Sequence, residues 1–143
     1  MEYPHINFLA VLVAGLVIFG LGGLWYSPVL FAKRWIALQG RTEEQMRADV
    51  ARANMPLMYG SVLICGLLTA FVLELIIVHL DPHFSMTPFH GALLGFVCWL
   101  GFAAPTSYGT SLFSMRPRQL WLIDSTYNLV SFMLAGIILA AWR

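Results

Sequence analysis

The chain has 143 residues, 59% of them hydrophobic and 10% charged, with a formal net charge of +1. An ordinary soluble domain carries about 25% charged residues, and a balance this close to neutral offers no basic field for nucleic acid. The charges are also clustered, leaving Tyr3–Ala32, Ala53–Leu73, Pro82–Met115 and Ser125–Trp142 free of Asp, Glu, Lys and Arg, runs of 30, 21, 34 and 18 residues. A helix needs roughly 20 apolar residues to cross a bilayer core. The pattern excludes a soluble enzyme, a nucleic-acid-binding domain and a disordered tail. It predicts an all-α integral membrane four-helix bundle, a single transmembrane domain over 1–143.

Helix one is expected over about Ile6–Phe31. Glu2 is the one charged side chain before Lys33, so the positive n-region of a cleavable signal is missing and this helix is expected to stay in the mature chain. It ends in Gly22-Gly23-Leu24-Trp25-Tyr26-Ser27-Pro28. Pro28 lacks an N–H and clashes with the carbonyl of Leu24, so the helix should bend or end there. Trp25 and Tyr26 suit a membrane interface. Next, Thr42-Glu43-Glu44-Gln45 fits a capping box, and Glu43 and Arg47 stand at a favourable i, i+4 spacing. With Met46, Val50 and Ala53 on one face, a short amphipathic helix over about Glu43–Ala53 should lie on the membrane surface.

Helix two is predicted over about Leu57–His79, after which Asp81-Pro82 marks a turn. Thr87-Pro88 then starts helix three, a capping hydroxyl before a proline at the first helical position, which runs to about Phe113. Helix four covers about Leu120–Trp142. Lys33, Arg34, Arg41, Arg47, Arg52, Arg116 and Arg118 fall in the two loops on one side, against Arg143 on the other. That asymmetry places both polar loops in the cytoplasm and both termini outside, in a plasma or inner membrane. Cys65 and Cys98 both lie in apolar runs and should pack as small hydrophobes.

Several polar groups share the cytoplasmic half. Asp124, Asn128 and Ser131 line one face of helix four, with Tyr127 beside them, and an intramembrane carboxylate is a functional hypothesis by default. The alternative is an anchor: Asp124 accepting hydrogen bonds from Tyr26, Ser27 or another donor at that end, or pairing with Arg116 or Arg118. Pro105 frees the carbonyl of Gly101, and Thr106, Ser107, Thr110 and Ser111 follow it with hydroxyls able to re-satisfy a broken helix. Together with Trp25, Tyr26, Ser27, Pro28 and Tyr59 these residues suggest a polar pocket open to the cytoplasm, or a hydrogen-bonded knot that locks the bundle. On the outer face, His79, His83 and His90 are weak metal candidates, since no HxxxH or HxH spacing supports them. Glu74, about six residues from the outer end, is expected to snorkel. The spacings Ala10-xxx-Ala14, Gly66-xxx-Ala70, Gly91-xxx-Gly95 and Gly136-xxx-Ala140 allow close helix approach, within the chain or in a homodimer.

The run Gly23-Leu24-Trp25-Tyr26-Ser27-Pro28-Val29-Leu30-Phe31, with Trp35, Gly40, Thr42-Glu43-Glu44-Gln45-Met46 and Tyr59, resembles the start of the membrane family called domain of unknown function 1761. Trp99-Leu100-Gly101-Phe102, Leu112-Phe113, Arg116-Pro117 and Asp124-Ser125-Thr126-Tyr127, ending in Ala141-Trp142, extend the likeness over nearly the whole chain. The resemblance implies a compact four-helix membrane protein and no activity.

The sequence is therefore read as a non-enzymatic multi-pass protein without cofactor. Its expected partners are the bilayer, a small solute, proton or lipid headgroup in the pocket, and a second copy of itself. A structural subunit docking a larger protein through Gly91 and Gly95 is the alternative reading, and a histidine metal site a lesser one. Paired carboxylates and a serine–histidine set, which an enzyme of this kind would need, are missing from the pattern.

Overall fold

Three of the four long helices start on a side chain that accepts a backbone N–H of the first turn: Asn7 from Ala10, Asn54 from Leu57 and Thr87 from His90. Such caps satisfy donors that have no partner inside the helix. The computed structural model of the protein describes residues 5–143, so Glu2 lies outside the described residues. In chain order the elements are α1 (Phe8–Trp25), α2 (Ala32–Leu38), α3 (Glu43–Arg52), α4 (Met55–Leu80), α5 (Pro88–Cys98), a π-helical turn (Trp99–Ala103), α6 (Ala104–Phe113) and α7 (Arg118–Ala141). Strands are absent among the described residues. α1, α4, the continuous run α5 to α6, and α7 are each long and apolar enough to cross a membrane.

Helix one stops at Trp25 rather than Phe31. Its last carbonyls are taken up by a tight turn in which the Ser27 hydroxyl donates to Leu24 O and the Tyr26 N–H to Gly22 O. The chain re-enters helix at Ala32, so α2 is an element the charge pattern concealed. The capping box of α3 forms as expected, between Thr42 and Gln45. Its ion pair differs from expectation: Arg41 pairs with Asp49, and Glu43 and Arg47 do not pair.

α7 is the hub, touching α1, α4 and α5. The core where they meet is built from Ala10, Ala14 and Ile18 of α1, Ala70, Leu73 and Ile77 of α4, Cys98 of α5, and Ala135 and Leu139 of α7. Small residues let the backbones approach, the main route to packing where lipid removes the hydrophobic drive between helices. A Cβ on Gly91 would run into the Gly136 carbonyl and lie 2.7 Å from Ala140 Cβ, and one on Gly95 would run into the backbone at Phe132. One on Gly66 would stand 3.2 Å from Gly15 O. The Gly91–Gly95 stripe therefore packs on α7 of its own chain, which corrects its reading as a docking face for a partner. Cys98 is buried as expected, but Cys65 is exposed.

The third span carries a π-helical turn at its middle. The Ala104 N–H reaches back five residues to Trp99 O, widening the helix by one residue just before Pro105. The Thr106 hydroxyl bonds Phe102 O and Ala103 O, and Ser107 bonds Ala104 O. The carbonyls re-satisfied next to the proline are thus those of Phe102 to Ala104. Such π turns recur at functional sites. α5 packs tightly along α7, whereas α6 touches it sparsely, and a cleft opens between them.

Candidate functional site

That cleft has a volume of about 360 Å³ and is lined by Thr106, Ser107, Thr110 and Ser111 of the third span, Arg116 of the connecting turn, and Trp121, Asp124, Ser125 and Asn128 of α7. It opens at the end of the bundle that carries the two basic loops. The Ser125 hydroxyl is buried without a hydrogen-bond partner among the described residues, an uncommon state that calls for an explanation. Arg116 and Asp124 stay apart; the ion pairs among the described residues are Arg41–Asp49, Arg143–Glu74 and Arg143–Asp81. A second hollow of about 250 Å³ lies on the α4 side of α7, where Asn128 again forms part of the wall with Ser61, Cys65, Thr69 and Ser131.

Asp124 is held from behind. Its Oδ1 accepts the Tyr26 hydroxyl at 2.7 Å and the Trp35 indole N–H at 2.9 Å. The rings that deliver these bonds brace each other: Tyr26 meets Trp35 edge-on with centroids 5.3 Å apart and Tyr127 at 5.6 Å. Tyr127 in turn donates to Ile18 O. Two further indoles reach the same stretch of α7, Trp25 donating to Ile123 O and Trp99 to Ser125 O. Three separate segments of chain thus fix residues 123–125 through tryptophan N–H groups. An indole N–H at membrane depth needs an acceptor, and here the acceptors are the Asp124 carboxylate and the backbone carbonyls on either side of it.

The structure divides the predicted pocket. Asp124, Asn128 and Thr106 line the cleft. Trp25, Tyr26 and Tyr127 form the hydrogen-bonding wall behind Asp124 instead of the lining. Ser27 is turned to Leu24 O, and Pro28 faces a groove between α2 and α3. Tyr59 is exposed and meets Phe19 edge-on, outside the cleft. Pro105 shapes the third span without lining the cleft. Trp35, Trp99, Trp121 and Ser125 were missed as site residues. Trp99 offered a signal, since an indole in mid-span is out of place for an interfacial belt.

At the opposite end the histidines do not gather. His79 Nδ1 lies 2.6 Å from Leu75 O, one turn back, and His90 Nδ1 lies 3.0 Å from Ser85 O. With His83 they form no group of three ligands among the described residues. Glu74 does not snorkel: it is fully buried and accepts the Asn7 backbone N–H and the Arg143 guanidinium on Oε1.

These features define a helical membrane protein with a polar cleft at one end. Residues 9–140 match the model of the family described as protein of unknown function (DUF1761), and the chain belongs to that family. No curated protein and no solved structure matches it.

Proposed function

We propose that this is a non-enzymatic cell-membrane protein whose cleft between α6 and α7 binds or moves a small polar solute, with the basic loops in the cytoplasm and the cleft open to that side. The observation that carries this reading is the lining itself: Arg116 and Asp124, which enter no ion pair among the described residues, with a run of hydroxyls around about 360 Å³ at a helix break. Opposite charges that do not pair with each other suit a solute carrying both. Discontinuous helices beside polar groups are a recurring way for transporters to build a ligand site. Asp124 is the charged partner, oriented by Tyr26 and Trp35, and Asn128 and Ser125 are its neighbours on α7.

Asp124→Asn separates this role from an anchoring one. Asparagine keeps an oxygen to accept Tyr26 and Trp35 but loses the charge. The protein, released gently from its own membrane, is examined by native mass spectrometry for a bound small molecule. The parent is expected to carry one, and Asp124→Asn to lose at least tenfold in occupancy, about 1.4 kcal/mol, with unchanged helical circular dichroism. Retention of the same adduct by Asp124→Asn removes Asp124 from the mechanism. A parent that arrives bare, or bound to another protein, shifts the reading to a structural membrane subunit.

A further inference from the structure

α2 and α3 leave between them a groove of about 350 Å³, separate from the cleft, whose walls are Pro28, Ala32, Ile36, Met46, Val50 and Ala51. Lys33 and Arg47 stand on its rim, and neither enters an ion pair among the described residues. Asp49 on the same helix pairs with Arg41, and the expected Glu43–Arg47 pair is not among the ion pairs of the described residues. Glu43 also reaches the groove, leaving one net positive charge on its lining.

The depth of this groove follows from how α2 is held. Trp35 bonds Asp124 and Arg34 bonds Gln119, so α2 is pinned against the first two turns of α7. Val29, 80% exposed, and Leu30, 46% exposed, sit in the turn that leads into it. The groove therefore lies where a span leaves the hydrocarbon, at headgroup level. A floor that is apolar and a rim that is cationic, at that depth, match one kind of molecule in both parts. We propose that the α2–α3 groove binds an anionic phospholipid, its phosphate on Lys33 and Arg47 and the start of an acyl chain along Ile36, Met46 and Val50. A bilayer surface rich in anionic lipid attracts cationic side chains in the same way, by a factor of about five for each.

The test uses the full chain in a neutral detergent, titrated with phosphatidylglycerol or phosphatidylcholine of identical acyl chains and followed by native mass spectrometry. Phosphatidylglycerol is expected to bind at least tenfold more tightly. Lys33→Gln and Arg47→Gln should each weaken it about fivefold, and the pair about thirtyfold. Arg52→Gln, a cation of the same segment outside the groove, should leave it unchanged. Equal binding of the two lipids overturns the proposal, as does an Arg52→Gln loss equal to that at Arg47. Complete displacement by inorganic phosphate overturns the acyl-chain part, because a headgroup alone would then account for the binding. Val50→Asp, which places an acid on the exposed wall, should abolish the preference while leaving helical content intact.

Discussion

Gly91→Leu is expected to destabilise the protein strongly. The side chain would have to occupy the space of the Gly136 carbonyl, and backbone cannot swing aside as a flexible side chain can. Overpacking in a well-filled core costs about 3 kcal/mol or more when nothing can give. For a chain of this size that is about 10 °C in Tm, and failure to accumulate in the membrane is the extreme form of the same result. Gly20→Leu is the control, since a Cβ at Gly20 has nothing within 4 Å and leucine favours helix over glycine. Thermal unfolding of both variants in one detergent decides the matter. Equal melting of Gly91→Leu and Gly20→Leu would mean that α5 does not pack on α7 through its glycines. The α6–α7 cleft would then lose its physical basis, because the cleft exists only where α6 departs from a helix that α5 holds tightly.

The spans were legible because charge is so costly in hydrocarbon that its absence alone marks them. The same signal misplaced the end of helix one. The charge-free run continues to Ala32, but Pro28 already denies the helix its next hydrogen bond, and the chain turns at Tyr26. α2 has seven residues, too few to show a period, and its position depends on Trp35 finding Asp124, 89 residues away. The π turn has no pattern of its own. It sits where the third span passes from the glycine seam on α7 to the proline at 105, so it is a property of the packing and not of the local residues. Asp124, Asn128 and Thr106 were recognisable because polar groups at shared membrane depth seek one another. Their separation from Tyr59 and Pro105 was not, since depth says nothing of which side of α7 a residue faces. Trp25 suited an interfacial belt for a related reason: a belt residue and an internal hydrogen-bond donor look alike in sequence, and only the acceptor, here Ile123 O, distinguishes them.

At the other end of the bundle, Arg143→Met is expected to destabilise strongly, and a second substitution to reverse much of that loss. Glu74 is fully buried, and its Oε2 has no hydrogen-bond partner among the described residues. Among the described residues the Arg143 guanidinium at 2.9 Å is its ion-pair partner, with Asp81 at 3.7 Å sharing it. The pair joins three parts of the chain, because Oε1 also accepts the Asn7 backbone N–H, and Asn7 donates its side-chain amide to Trp142 O. Removing the cation alone leaves a buried carboxylate without compensation, a change that costs about 3–5 kcal/mol. Arg143 keeps a side-chain exposure of 20%, so the lower end of that range, about 3 kcal/mol, is the expected loss. Glu74→Gln added to Arg143→Met removes the stranded charge while keeping an oxygen for the Asn7 N–H, and should recover more than half of it. The measurement is a double-mutant cycle on thermal unfolding in detergent, with a coupling of at least about 1.5 kcal/mol expected for groups in direct contact. Additive losses would show that the two residues do not share a bond in the membrane. The contact that ties the start of α1 to the end of α7 would then rest on Asn7 and Trp142 alone.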